Sequence, residues 1–307
     1  MTAPPQIIAP HRLDVIVTHG FQGYGLLDSG GGRKLERFGS IIVDRPEPQA
    51  LWQPRTPDAW AEAHATFAPD DDEEKGRWRQ HRPVPDSWDV AVDGVTLRAR
   101  LMAFRHLGLF PEQRPHWQWL REGVTAAARP GGERPRVLNL FGYTGAASLI
   151  AARAGAEVTH VDASKPAIGW GKENQSASGL DTAPIRWILD DARKFAAREV
   201  RRGRTYHAIL LDPPKFGRGP DGRMWDLFTD LAPLLDDCAK LLAPGPSRLT
   251  LTAYAIRASA LSLDGLVRET LRAHGGTQTA GELALAEEHG GRLIGTSLYV
   301  RWEGPHG

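Results

Sequence analysis

The stretch Val137-Leu-Asn-Leu-Phe-Gly-Tyr-Thr-Gly145 joins a short apolar run to a glycine-containing turn, and residues 146–154 behind it suit a helix. An apolar run of a few residues that ends at a turn is typical of a buried strand. Glycine lets the backbone approach a ligand closely, and a helix start offers unpaired N–H groups. We therefore predict a strand, a ligand-facing turn and a helix, with a purely structural turn as the alternative. Gly142 and Gly145 do not give G-x-G-x-x-G spacing, which disfavours a nicotinamide dehydrogenase.

Strand and helix patterns alternate along the chain beyond residue 108. The predicted strands cover residues 137–141, 157–161, 185–189, 207–211, 248–252 and 292–302. The predicted helices cover residues 111–128, 146–154, 165–178, 227–242 and 261–273. Such alternation indicates βαβ units, and therefore an α/β fold with a mostly parallel sheet and helices on both faces. In such sheets ligands bind beyond the carboxyl ends of the strands.

The first part of the chain has a different character. Short apolar runs at residues 13–17 and 40–43 are separated by glycine clusters, a pattern typical of strands and turns. Asp93-Gly94 between two alternating runs predicts a hairpin. We therefore predict a smaller β-rich domain over residues 1–107 and a larger α/β domain over residues 108–307.

The composition is that of an ordinary globular protein, with 41% hydrophobic and 24% charged residues. The net charge of +1 provides no global basic field that would point to a nucleic acid. No stretch approaches the roughly 20 apolar residues of a membrane helix, and residues 1–10 lack the pattern of a secretory signal. The single cysteine, Cys238, fits a reducing compartment, so we predict a cytoplasmic protein. The histidines are scattered without ligand spacing, so we predict no metal site.

Acidic residues follow two of the predicted strands. Asp162 ends the second strand, where a carboxylate can accept hydrogen bonds from both hydroxyls of a ribose. The alternative is a cap for the next helix, although Ser164 would serve equally well. Asp190 and Asp191 end the third strand, where a carboxylate can accept from an exocyclic amine such as adenine N6, again with a helix cap as the alternative.

Asp212-Pro-Pro-Lys-Phe216, after the fourth predicted strand, is the most specific local feature. Two prolines stiffen the backbone and remove two N–H donors, which leaves carbonyl oxygens as acceptors. Asp212 adds an acceptor carboxylate, and Phe216 offers a ring on which a planar base can stack. Such a corner suits a flat, amine-bearing target held against an electrophile. A rigid loop without function is the alternative.

These stretches together resemble a known family. The residues that carry the resemblance are Val137 to Gly145, Val161-Asp162, Lys172-Glu-Asn174, Asp190-Asp191-Ala192 and Asp212 to Phe216. They resemble the class I S-adenosylmethionine-dependent methyltransferases, and among these the bacterial 23S ribosomal RNA group that includes 5-methylcytosine and 7-methylguanine enzymes. Gly108-Leu-Phe-Pro-Glu-Gln113 is similar to a segment of that group. The resemblance covers about residues 100–300. It implies a Rossmann-like class I methyltransferase sheet with S-adenosylmethionine as cofactor.

The resemblance, joined to the reasoning above, assigns roles to residues. The predicted cofactor-binding residues are Phe110, Gln113, Asn139, Phe141, Gly142, Tyr143, Thr144, Gly145, Asp162, Ala163, Asn174, Asp190, Asp191, Ala192 and Asp212. The predicted catalytic residues are Asp212, Pro213 and Phe216. The predicted substrate-binding residues are Lys215, Phe216, Arg218, Tyr254 and Arg257, with the cations available to phosphates.

One departure from the group bears on the acceptor atom. Its 5-methylcytosine members place a nucleophilic cysteine just after the fifth strand, because methylation at C5 of cytosine requires covalent attack at C6. Here residues 251–259 contain no cysteine, and Cys238 lies among leucines at helical spacing, which indicates a core residue. We therefore predict transfer to a nitrogen of a base in ribosomal RNA, with RNA as partner and no membrane. A small-molecule methyltransferase and a non-catalytic RNA-binding or assembly protein are the alternatives.

Overall fold

The computed structural model describes residues 12–70, 75–128, 132–254 and 256–305. The helices are α1 Arg114–Ala127, α2 Ala146–Arg153, α3 Lys165–Ala177, α4 Ala192–Arg201, α5 Leu227–Leu241 and α6 Ala260–Thr270. The strands are β1 Asp14–Thr18, β2 Tyr24–Gly30, β3 Arg33–Phe38, β4 Ile41–Pro46, β5 Ala65–Pro69, β6 Gly76–Gln80, β7 Trp88–Val92, β8 Val95–Ala99, β9 Arg136–Leu140, β10 Glu157–Asp162, β11 Ile185–Leu189, β12 Ala208–Leu211, β13 Phe216–Arg218, β14 Met224–Asp226, β15 Arg248–Tyr254, β16 Thr277–Ala286 and β17 Leu293–Glu303. Among the helices of these described ranges, none is both long and apolar enough to cross a membrane.

Within the described residues, eight strands form a central sheet in the order β1-β16-β17-β15-β12-β9-β10-β11. β17 runs antiparallel to β15 and β16, and the other neighbours are parallel. Consecutive strand residues point to opposite faces. Val137 accordingly packs in one core with α1 and α2, whereas Leu138 packs in another with α4, α5 and α6. The prediction of a mostly parallel, Rossmann-like α/β sheet with helices on both faces is confirmed.

The order in which successive strands are added to the sheet reverses at β9. The chain continues from β9 to β10 and β11 on one side, whereas β12 and β15 lie on the other side. The carboxyl ends of β9 and β12 are therefore neighbours whose connections diverge, and such a point leaves a crevice for a ligand. The turn over residues 141–145 and the corner over residues 212–216 leave the sheet side by side at this crevice.

The N-terminal region is β-rich, as predicted, with a five-stranded sheet β2-β3-β4-β5-β6 and a hairpin β7–β8 within the described residues. The hairpin turns at Asp93 and Gly94, which have φ angles of 45° and 88°. β1 lies outside this N-terminal sheet, because it pairs in parallel with β16 of the central sheet, with Asp14 opposite Gly281. In addition, a single hydrophobic core joins β2 with α1 and α2. The predicted boundary between residues 107 and 108 therefore does not separate two independent sheets.

Among the longer elements after residue 108, α4 and β16 have no counterpart in the predicted set. Half of the residues of α4, ARKFAAREVR, are charged, and β16, TQTAGELALA, contains one glycine and three alanines, which have low strand preference. In α4 the buried positions Ala192, Phe195, Ala196 and Glu199 recur at helical spacing, but only Phe195 is large and apolar, so the apolar signal is weak. β16 has no strict apolar alternation, and its pairing with β1 and β17 accounts for its structure.

Replacement of Gly281 by alanine should destabilise the sheet at β1. A Cβ on Gly281 would lie 1.7 Å from the carbonyl oxygen of Asp14, so one backbone would have to move. We expect Gly281→Ala to lower the free energy of unfolding by roughly 1–3 kcal/mol, measured by urea denaturation. Gly265→Ala in α6 is the control, because that position is exposed with open space around it, and alanine should stabilise the helix by up to about 1 kcal/mol. Equal stability of the two variants would contradict the position of β1.

Candidate active site

The turn that follows β9 has a strained backbone and close packing. Phe141 and Tyr143 have positive φ angles of 57° and 51°, and Gly145 has a φ of 88°. For residues with side chains such angles cost on the order of 1 kcal/mol each and persist only where the surroundings hold them. Gly142 has no room for a side chain, since a Cβ would lie 2.4 Å from Cε1 of His160. The turn is thus held in one shape, as a preformed ligand site requires.

Side chains from two other elements support this turn. The Tyr143 amide donates to Oδ2 of Asp162 at 2.8 Å. Asn174 in α3 donates to the Thr144 carbonyl at 2.9 Å, and its Oδ1 accepts from the Arg98 amide in β8 at 2.8 Å. Asn174 is fully buried, and both ends of its amide are bound by protein. Asn174 therefore ties the turn to the β7–β8 hairpin, and its contact with a cofactor stays a prediction.

A cleft that is partly continuous with solvent opens between this turn, the end of β12 and the segment before α1. The predicted site residues that line it are Phe110, Gln113, Asn139, Phe141, Gly142, Tyr143, Thr144 and Asp212. Gly108, Thr250 and Thr252 also line it, and the sequence analysis missed them. Polar Thr250 and Thr252 at alternate positions of a buried strand were the available signal, since alternate residues share one face.

Asp162, at the end of β10, faces this turn with both carboxylate oxygens engaged. Oδ2 accepts from Tyr143 and Oδ1 accepts from the Ser164 amide at 2.8 Å. Burial raises the pKa of the Asp162 carboxyl, and the amide donors oppose that rise. Ser164 caps α3, because its hydroxyl accepts from the Ala167 amide at 3.3 Å, so Asp162 is not the helix cap. Each carboxylate oxygen has a further lone pair, so Asp162 can still accept from a ligand hydroxyl.

The acids after β11 are engaged by α4. Asp191 is buried and caps this helix, with Oδ1 accepting from the Lys194 amide at 3.0 Å. Asp190 pairs with Arg198 at 2.7 Å. Oδ2 of Asp191 is directed toward the β13–β14 hairpin, where a Cβ on Gly219 would lie 3.3 Å from it. Oδ1 of Asp191 therefore serves as the helix cap, which was the alternative interpretation. The contact of Asp191 with adenine stays a prediction.

Asp212 lies at the end of β12 with a carboxyl oxygen that lacks a partner. This Oδ1 is buried and accepts no hydrogen bond from the described residues. Burial raises the pKa of Asp212 to about 8, with a further rise from Glu112 and Asp162, while a hydrogen bond from Gln113 opposes it. The Tyr254 hydroxyl at the end of β15 is likewise buried without a partner in the described ranges. Each such atom costs roughly 1–3 kcal/mol, and beside a cleft it indicates that a ligand supplies the partner.

The corner after β12 leads into the β13–β14 hairpin, in which Phe216, Arg218 and Met224 are exposed and Trp225 is buried. Phe216 is 58% exposed, and the Lys215 ammonium lies 5.1 Å from its ring centroid. Arg218 on the same hairpin is also exposed. The Pro214 carbonyl accepts from the Trp225 indole at 2.7 Å, so it is not the free acceptor that the two prolines suggested.

The remaining predicted residues do not line the cleft. Gly145 precedes the first residue of α2, Ala192 is the first residue of α4, and Ala163 follows β10 half-buried. Pro213 is buried, and Arg257 is exposed beyond β15. Across the described ranges, no group of three or more His, Cys, Asp or Glu side chains is arranged to hold a metal ion.

The Asp212→Asn variant should change how stability depends on pH. The pKa of Asp212 in the folded chain is about 8, above its ordinary value of 3.8. The protonated carboxyl therefore favours the folded state, and this contribution is complete below 3.8 and is lost as pH rises through about 8. Asparagine does not titrate, so we expect wild-type stability to fall relative to the variant across this range, measured by urea denaturation. Parallel pH profiles would contradict the raised pKa.

Comparison with known proteins identifies the family. Residues 49–283 match the family model described as S-adenosylmethionine-dependent methyltransferase. The crystal structure of the SAM-dependent methyltransferase from Agrobacterium tumefaciens is 51% identical, with a TM-score of 0.91 over 95% of this chain and 94% of that chain. The chain belongs to the S-adenosylmethionine-dependent methyltransferase family, and S-adenosylmethionine is its cofactor.

Two curated relatives are ribosomal RNA large subunit methyltransferases. Methyltransferase K of Neisseria meningitidis is 29% identical over 219 residues, which cover 68% of this chain and 59% of the relative. Methyltransferase I of Aeromonas salmonicida is 27% identical over 211 residues, which cover 65% of this chain and 48% of the relative. The chain thus spans about half the length of these relatives.

Proposed function

We propose that this methyltransferase transfers a methyl group to a nitrogen of a base in ribosomal RNA. The observation that carries the proposal is the unpaired, buried Oδ1 of Asp212 at the cleft, with the exposed ring of Phe216 four residues further along the same corner. A carboxyl oxygen can accept a hydrogen bond from a base amine, and an exposed ring can stack on the base. The names of the relatives K and I support ribosomal RNA as the substrate. This substrate implies a cytoplasmic location.

The residues around the cleft fit S-adenosylmethionine. When bound, the cofactor supplies a methyl group that its sulfonium already activates for transfer. In our proposal the strained turn after β9 holds the methionine part, and the remaining lone pairs of Asp162 accept from the ribose hydroxyls. Asp191 accepts from the adenine amine. Phe110 and Gln113 cover the cofactor from the segment before α1.

The remaining residues position the acceptor. Asp212 and the Pro213 carbonyl accept hydrogen bonds from the target amine, which turns the nitrogen lone pair toward the methyl group, while Phe216 fixes the plane of the ring. Alignment of this kind contributes up to roughly 7–11 kcal/mol in ideal models, so a large part of the rate acceleration can come from position alone. The cations that meet the RNA phosphates are Lys215, Arg218 and Arg257.

A nitrogen acceptor is favoured because the chain lacks a nucleophilic cysteine. Cys238 is the single cysteine of the sequence, and it is fully buried in the core on α5. Burial also raises the pKa of its thiol, which keeps the sulfur protonated and unreactive. Methylation at C5 of cytosine requires covalent attack by a thiolate, so we assign the activity to a base nitrogen.

The test is transfer of tritium from methyl-labelled S-adenosylmethionine to purified ribosomal RNA. We expect label in RNA that becomes soluble after ribonuclease treatment, with the modified base identified as an N-methyl base by mass spectrometry. We also expect RNA binding to weaken steeply with added salt, because phosphate contacts release counterions. Label that enters only small metabolites would contradict the proposal, as would a C-methylated base.

A further inference from the structure

An exposed aromatic pair lies on the segment between β8 and α1. Phe104 is 37% exposed and stacks on His106, with ring centroids 5.3 Å apart and planes 6° from parallel. Met102 on the same segment is 38% exposed. The Phe104 backbone is anchored to β6, since its carbonyl accepts a hydrogen bond from the Trp78 indole at 3.2 Å. The position of the aromatic pair is therefore fixed by contacts with the rest of the protein.

Ring contacts connect this pair to the cleft. Nδ1 of His106 lies 2.9 Å from the Tyr143 hydroxyl, and the His106 ring lies 5.8 Å from the Phe110 ring. Phe110 lies 5.6 Å from Tyr143 and 5.5 Å from Tyr254, again between ring centroids. Phe110 and Tyr143 line the cleft. The stack of Phe104 on His106 thus continues the wall of the cleft outward to the protein surface.

A cationic groove is linked to Tyr143 through Trp170. It encloses about 630 Å³ between β8 and α3 and is open to solvent. Its polar lining consists of Ser87, Arg98, Arg100, Lys172, Glu173 and Ser176. The Arg100 guanidinium lies 5.0 Å from the Trp170 ring, and that ring lies 6.1 Å from the Tyr143 ring. The groove and the aromatic pair are therefore both connected to Tyr143 of the cleft through side-chain contacts.

The ion pairs of this groove are accessible to exchange. Arg98 pairs with Asp89 at 3.1 Å, and Arg100 pairs with Glu173. The side chains of both acids are more than half exposed. Exposed ion pairs contribute little to stability, so replacement of either carboxylate by a phosphate costs the protein little.

We propose that the aromatic pair and the cationic groove bind single-stranded RNA that flanks the target nucleotide. A cationic groove next to stacking rings is the arrangement by which proteins bind single strands without reading sequence. A base stacks on Phe104, and phosphates pair with Arg98, Arg100 and Lys172. In a duplex the faces of the bases are covered by stacking on their neighbours. The aromatic pair and the groove therefore favour RNA in a loop or another unpaired stretch. The inference rests on the proposed function in taking RNA as the ligand.

The experiment measures binding of fluorescein-labelled polyadenylate by anisotropy, with no methyl transfer involved. We expect Phe104→Ala to weaken binding roughly tenfold, because one stacked base is lost, and Phe104→Trp to retain wild-type affinity. Lys172→Glu should weaken binding and reduce the slope of affinity against salt concentration. Leu51→Ala is the matched control, because Leu51 is 87% exposed on the loop beside the β2–β3 turn, and its affinity should equal that of wild type.

Three results would overturn the inference: equal affinity of wild type and Phe104→Ala, loss of binding in Phe104→Trp as large as that in Phe104→Ala, or tighter binding of a matched duplex. Urea denaturation of each variant separates a binding effect from unfolding. Failure of the proposed function gives a different result, namely no methyl transfer from wild type to ribosomal RNA while polyadenylate binding still depends on Phe104.

Discussion

Asp212→Ala is expected to lower kcat/KM for methyl transfer to ribosomal RNA by roughly 100-fold or more, while the protein still binds S-adenosylhomocysteine. Asp212 has a buried Oδ1 without a partner in the described residues, and in our account the acceptor amine supplies that partner. Its removal leaves the amine unoriented in the transition state. Filter-bound tritium measures the transfer, and calorimetry measures cofactor affinity.

Asp212→Asn distinguishes a hydrogen-bond acceptor from a proton acceptor at this position. The amide oxygen can still accept from an amine, but the amide cannot take up a proton at neutral pH. We expect Asp212→Asn to retain much more activity than Asp212→Ala. Equal loss in the two variants would assign Asp212 to proton removal, and full activity of Asp212→Ala with cofactor bound would contradict its assignment to the acceptor.

Asp162→Ala is expected to weaken binding of S-adenosylhomocysteine by roughly 100-fold, measured by calorimetry, because hydrogen bonds to a charged group contribute about 1.5–3 kcal/mol each. The substitution removes the acceptor for ligand hydroxyls. It also removes the carboxylate that binds the Tyr143 amide at 2.8 Å and holds a residue with a φ of 51°. The strained turn then has one support fewer when the ligand arrives.

Asp237→Ala is the matched control for this substitution. Asp237 lies near the end of α5, is partly exposed and pairs with Lys240 at 3.2 Å. Its removal should leave cofactor affinity unchanged. If Asp162→Ala bound S-adenosylhomocysteine as tightly as Asp237→Ala did, the cofactor would not lie against the end of β10.

The parallel centre of the fold could be predicted because each strand carries a local signal. β9 and β12 are short, mainly apolar runs followed by a glycine turn or an acid, and β10 ends in Asp162. β1 and β16 could not be paired from sequence. They come from opposite ends of the chain, and their contact depends on the close approach of Gly281 to Asp14, which no local pattern encodes.

The candidate site could also be predicted only in part. Because Gly142, Asp162 and Asp212 follow or end strands, the sequence predicted that they lie around one cleft, and they line it or hold its turn. The partners of the polar groups could not be predicted. Asn174 is bound by two backbone segments, and Asp190 is bound by Arg198. Which donor meets a buried acceptor depends on tertiary packing, so a polar residue in a motif can support the site without contacting the ligand.

The most direct test of the central claim is a mass map of modified bases in ribosomal RNA from cells with and without the gene. We expect one N-methylated base to disappear with the gene. We also expect the base to return when wild type is supplied and to stay absent when Asp212→Ala is supplied. Identical maps from the two strains, or a missing methyl group on carbon, would contradict it.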